Sequence, residues 1–92
     1  MITLRLHDGK RWKLFDVEEI EEVYWEGLNL VLHENPLPAK KEERIRLTHK
    51  ESGLELFAAK DRKTCRESGL AVLKQCGKPM VAKAILNEIG KT

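Results

Sequence analysis

The sequence predicts an α+β domain: an antiparallel sheet of about five strands, built from hairpins, with two C-terminal helices packed on one face. Three observations carry this. Apolar and polar residues alternate with a period of two through most of residues 2–59. From residue 62 onward the apolar spacing changes to about 3.6. Strings containing glycine or proline separate the segments. Strands followed by helices is the α+β order. The 92 residues make one domain, 1–92, with a single core. Its strands fall roughly within 2–59 and its helices at roughly 62–76 and 79–89.

The first element is "ITLRL", with strand alternation, followed by the turn string "HDG" and a second strand, "KRWKLF". Two registers compete. A two-residue Asp8-Gly9 turn sets Leu4 against Lys13 and Leu6 against Arg11. A three-residue His7-Asp8-Gly9 loop sets Leu4 against Trp12 and Ile2 against Leu14. The second places apolar against apolar, so it is expected, with Gly9 as the left-handed residue of a bulge turn.

"DVEEIEEVYW" fits two readings. Asp16 and Glu19 match a helical capping box, with Val17, Ile20 and Tyr24 on one face. The same residues also continue a strand. No long helix fits before Gly27, which favours a strand or a single helical turn over 17–25. "GLNLVLHE" is a strand with Leu28, Leu30 and Leu32 on one side. "NPLPAKKEE", within 35–43, is a polar, proline-containing connection expected to be exposed and mobile. "RIRLTHK" and "GLELFAA" then form a second hairpin.

In the first helix Cys65, Gly69, Val72, Leu73 and Cys76 fall on one face. Thr64 and Glu67 match a capping box, with Asp61 as a rival cap. Gly77 is placed to end this helix and Pro79 to start the next. Val81, Ala82, Ile85, Leu86 and Ile89 form the second apolar stripe. The string "ESGL" occurs twice, at 51–54 and 67–70. The surrounding periods differ, so it is not a repeat. Gly53 is expected to supply a left-handed turn residue. Gly69 is expected to let the helix approach the sheet.

Charge is unevenly spread. Residues 1–36 carry a net −4 and residues 37–92 a net +6. Such polarity bears on partners and association rather than on fold. The acidic centre holds Glu18, Glu19, Glu21, Glu22 and Glu26 with Trp25 beside them. It is a candidate protein contact, because an acidic surface suits a basic partner and Trp is enriched among residues that anchor interfaces. The basic centre holds Lys60, Arg62, Lys63 and Arg66 at the start of the first helix. Free amides and a positive dipole end there make it a candidate anion or nucleic-acid contact. No aromatic residues interleave with it as stacking platforms.

Several chemistries lack their signatures. There is no glycine-rich phosphate loop and no nucleophile elbow. On one helix, Cys65 and Cys76 would lie about 16 Å apart, too far for a disulfide, and both are expected as core thiols. Of the two, only Cys65, near a helix start, is placed for a lowered pKa. His7 is expected in a turn. His33 and His49 are expected as ordinary surface or edge residues, pointing away from the Leu30/Leu32 and Ile45/Leu47 sets. His49 and Ser52 flank a turn and can approach, but no third partner is indicated. No catalytic, metal or cofactor-binding residue is expected, and the chain is read as a non-enzyme without cofactor.

No apolar run reaches the length of a membrane span. The opening residues lack a basic stretch followed by an apolar one, so no signal peptide is expected. A cytoplasmic location is therefore expected. The succession "RIRLTHKESGLELFAAKDRKTCRESGLAVL" resembles a pattern of small phage and mobile-element accessory proteins. There a strand ending T-H-x-x-S-G turns into a second strand, and a charged helix start follows. The resemblance covers about a third of the chain and brings no catalytic residues with it. It implies a compact α+β protein of a class in which some members inhibit host machinery, including CRISPR surveillance complexes, by binding it. The expected function is binding to a protein partner. Binding of nucleic acid is the alternative, and homodimerisation through an exposed edge strand is a third expectation.

Overall fold

The computed structural model describes residues 1–37 and 40–90. Six strands and two helices follow one another as β1 (Ile2–His7), β2 (Trp12–Val17), β3 (Glu19–Trp25), β4 (Leu28–Glu34), β5 (Ile45–His49), β6 (Glu55–Ala59), α1 (Arg62–Cys76) and α2 (Lys78–Gly90). The α+β class holds. The strands, however, form two antiparallel sheets, not one: β1-β2, and a four-stranded sheet in the order β3-β4-β5-β6. Residues 17–25 contain no helical turn; the chain passes from β2 into β3 at Glu18.

The division follows from the alternation of side chains along β4. Leu30 and Leu32 point to one face, where they join Val23, Ile45, Leu47, Ala59, Cys65, Leu73, Val81 and Ile85 in the larger core. Val31 points to the other face and joins Leu4, Leu6 and Val17, with Ile2 and Phe15 at the margin. The helices thus cover one face of the four-stranded sheet and the β1-β2 hairpin covers part of the other. A hydrophobic residue on each side of β4 needs a layer on each side, which a single two-layer sheet does not supply.

The register of the first hairpin differs from both expectations. Leu4 lies opposite Phe15, Leu6 opposite Lys13, and His7 opposite Trp12. The loop is therefore four residues, 8–11. Asp8 makes it: its Oδ1 accepts the amides of Lys10 and Arg11, both at 2.9 Å, and its N–H donates to Arg11 O at 3.0 Å. These bonds, with Lys13 beside it, hold the Asp8 carboxyl well below the usual range. Gly9 is left-handed as expected, with φ +99°. Phe15 and Val17 turn inward while Leu14 is left exposed.

The connection after β4 is tied at its ends by Asn35. Its N–H donates to Arg44 O at 2.8 Å, its side-chain amide to Glu43 O at 3.0 Å, and its Oδ1 accepts Leu37 N–H. A single 3₁₀ turn, Lys41–Glu43, follows. Pro38 and Ala39, in the stretch expected to be mobile, lie outside the described residues, as does the side chain of Ile89.

Asp61, not Thr64, caps α1; its carboxylate accepts Thr64 N–H at 2.7 Å. Gly77 ends α1, its N–H reaching Leu73 O, and Pro79 sits in the first turn of α2. The buried stripe of α1 is narrower than expected: Cys65, Gly69 and Leu73 are buried, whereas Val72 and Cys76 are exposed. On α2, Val81 and Ile85 are buried, and Leu86 is exposed. No described helix is long and apolar enough to cross a membrane.

Candidate functional site

The acidic and basic centres, far apart in sequence, meet in space. β3 is an edge strand of the larger sheet, and the first turn of α1 lies beside it. Glu21 Oε1 accepts from Arg62 at 2.8 Å and Glu21 Oε2 from Arg66 at 2.7 Å. The Arg62 hydrogen bond, with Arg66 behind it, holds the Glu21 carboxyl below its ordinary range. Lys60, Arg62, Lys63 and Arg66 are all exposed; the last three line a hollow of about 590 Å³ with Glu21, Asp61 and Glu67, and Lys60 lies outside it. Two of the four cations in the candidate anion contact are thus already engaged by Glu21, whose single charge offsets one of them. A further first-turn amide is taken by Asp61.

The candidate acidic contact is divided in the same way. Glu22 pairs with Lys50 at 3.1 Å, which raises the Lys50 pKa. Glu19 is half-buried, with Oε1 enclosed and lacking a hydrogen-bond partner among the described residues. Glu18 and Glu26 are exposed and form no ion pair among the described residues. Trp25 is half-buried and packs against the helical core. Tyr24, one position earlier and therefore on the other face, is 75% exposed. It borders a shallow hollow of about 440 Å³ with Glu22, Val23, Asn29, Leu30 and Lys50. Strand alternation with Val23 buried would have exchanged Trp25 for Tyr24 as the contact residue.

Both strand histidines are buried, against expectation. His33 Nδ1 lies 2.8 Å from Glu34 O, and Nε2 lies 2.7 Å from Thr48 Oγ1. A carbonyl only accepts, so Nδ1 carries the proton in the neutral ring and Nε2 accepts from the Thr48 hydroxyl. His49 has the same strand parity as Ile45 and Leu47 and lies opposite Leu30, so it points with them rather than away. His49 Nδ1 and Ser52 Oγ are 2.8 Å apart. Ser52 Oγ also accepts Leu54 N–H, and Ser52 N–H donates to the same ring nitrogen. Each residue is only 4% exposed, so the pair closes the β5-β6 turn and no substrate reaches it. Burial lowers the pKa of both histidines.

Cys65 is fully buried, with Sγ 3.5 Å from Ile45 O. Burial, with Glu55 adding to it, pushes its thiol up to about 11. The helix start does not lower it, because desolvation outweighs the dipole here. No cluster of three or more metal-ligating side chains occurs among the described residues.

A further cleft went unrecognised in the sequence. His7, Trp12, Arg46, Gly53, Leu54, Glu55 and Glu88 line a space of about 440 Å³ between the first hairpin and the β5-β6 turn. Its components come from four separate stretches, and the mistaken hairpin register concealed the pairing of His7 with Trp12. No family model, curated protein or solved structure matches the chain.

Proposed function

We propose that this chain is a small, non-enzymatic binding protein that acts through its surface on a protein partner, with Tyr24 at the centre of the contact. The observation that carries the reading is the exposure of Tyr24 on a strand whose backbone is fixed by pairing with β4. An exposed tyrosine beside a shallow hollow, ringed by Glu22, Asn29 and Lys50, has the make-up of an interface anchor with a polar rim. Glu18 and Glu26 supply unpaired acidic charge for steering a basic partner. The resemblance to phage and mobile-element accessory proteins supports a component of host machinery as that partner.

The test is capture from a lysate of the source or host cell with the wild-type chain and with Tyr24→Ala. A stoichiometric partner is expected for the wild type. The variant, folded by circular dichroism, is expected to bind it at least about tenfold more weakly. Recovery of no stoichiometric partner, or equal recovery by both proteins, counts against the reading. The nucleic-acid alternative is weakened by the engagement of Arg62 and Arg66 with Glu21. A low-salt gel shift abolished by changing Lys60, Arg62, Lys63 and Arg66 to Glu would restore it.

A further inference from the structure

We propose that the cleft lined by His7, Trp12, Arg46, Leu54 and Glu55 binds a small zwitterion, a molecule carrying a carboxylate and an ammonium on one carbon, as an α-amino acid does. The site is distinct from the Tyr24 face. Its volume of about 440 Å³ falls within the roughly 300–1,000 Å³ of small-molecule sites.

The polar groups define the ligand. Arg46 has a side chain only 14% exposed. Its Nε stands 3.4 Å from Glu55 Oε1 without a hydrogen bond and is itself enclosed, so contact with a ligand falls to the terminal guanidinium nitrogens. A guanidinium held this deeply by one loose contact has donor capacity to spare. His7 Nδ1 accepts Gly9 N–H at 3.1 Å, so in the neutral ring the proton sits on Nε2, a second donor. Arg46 and His7 together suit a carboxylate. Glu55, whose side chain is 40% exposed, suits an ammonium. A simple anion would meet the Glu55 carboxylate, and a simple cation would meet Arg46. A zwitterion satisfies both signs.

The apolar wall is held in place. Arg5 stacks over the Trp12 ring at 4.8 Å, and His7 meets that ring edge-on at 5.4 Å. Leu54 completes the surface that would receive an aliphatic side chain. A wall that does not reorganise costs little to bind against.

The experiment is a titration of uniformly ¹⁵N-labelled protein with L-leucine to about 20 mM, read by amide chemical shifts. That range exceeds the roughly millimolar Kd expected of few contacts. Saturable shifts are expected at His7, Trp12, Gly53, Leu54 and Glu55. Leucinamide, lacking the carboxylate, and N-acetyl-leucine, lacking the ammonium, are each expected to bind at least about tenfold more weakly. His7→Ala and Glu55→Gln should retain the amide spectrum of the folded protein and each weaken L-leucine at least about threefold. The proposal is overturned by the absence of saturable shifts, by equal binding of either leucine derivative, or by unchanged affinity in both variants.

Discussion

Gly53 and Gly69 occupy the same four-residue string yet meet different demands. Gly53 has φ +76°, and a Cβ there would overlap the carbonyl oxygen of Arg5. Both the left-handed backbone and the contact with β1 forbid a side chain. Gly53→Ala is expected to destabilise by about 3 kcal/mol or more, combining backbone strain with overpacking. At Gly69 a Cβ would lie 3.0 Å from Leu47 Cδ2 and 3.3 Å from Phe57 Cβ. The gain of about 1 kcal/mol in helix propensity opposes that crowding, and Leu47 is fully buried and has little room to yield. Gly69→Ala is therefore expected to cost about 1 kcal/mol net, well below Gly53→Ala; urea unfolding of both variants checks the order. The two thiols give a second residue-scale expectation. Cys76 should react with a mild alkylating agent in the native protein, and Cys65 only after unfolding. Rapid loss of both free thiols without denaturant would contradict the burial of Cys65.

Among the elements, the β3-β4 hairpin turns through Glu26 at φ +49° and Gly27 at φ +82°. Two consecutive left-handed residues in a two-residue loop make a type I′ turn. Glu pays a steric penalty there that Asn largely avoids. Glu26→Asn is expected to stabilise by about 0.5–1 kcal/mol; a lower urea midpoint would argue against this turn geometry. The β5-β6 hairpin is legible because alternation and turn residues agree; β3 is not, because Val17, Ile20 and Tyr24 also fit one helical face. The β1-β2 register was not. Matching apolar residues across the strands favoured Trp12 and Leu14, whereas the Asp8 side chain captures two amides and lengthens the loop. A side chain's competition for local amides is invisible to hydrophobic pattern. The helix boundaries were readable from Gly77 and Pro79, but the cap was not settled, because Asp61 and Thr64 both carry suitable oxygens. In the candidate sites the residue types were legible. Their mutual engagement was not, since Glu21 precedes Arg62 by 41 residues.

At the scale of the whole molecule, the charge asymmetry of the sequence is partly cancelled by folding. Three ion pairs, Glu21 with Arg62, Glu21 with Arg66 and Glu22 with Lys50, each join the acidic first part to the basic remainder. Polarity along a chain therefore overstates polarity across a surface. Two buried histidines give a pH dependence of the entire fold. Their folded pKa values lie below the ordinary 6.5, so the unfolded chain takes up protons first as pH falls. Their contribution is full above the unfolded pKa and declines as pH drops through it. Urea stability should decrease from about pH 7.5 to about pH 5, by at most about 1.4 kcal/mol per pH unit from His33. A flat profile, or stability rising toward pH 5, would sink this account.

The hairpin that covers the second face of the sheet also orders events in time. Residues 2–17 leave the ribosome before β3 to α2 and can pair with one another at once. Their apolar partner Val31 arrives later, and the Gly53 turn against which the Arg5 carbonyl rests arrives later still. A nascent chain halted before residue 53 would therefore hold Leu4, Leu6 and Val17 without the completed surface that buries them. Fragments ending short of that turn should be captured by chaperones far more readily than the full chain.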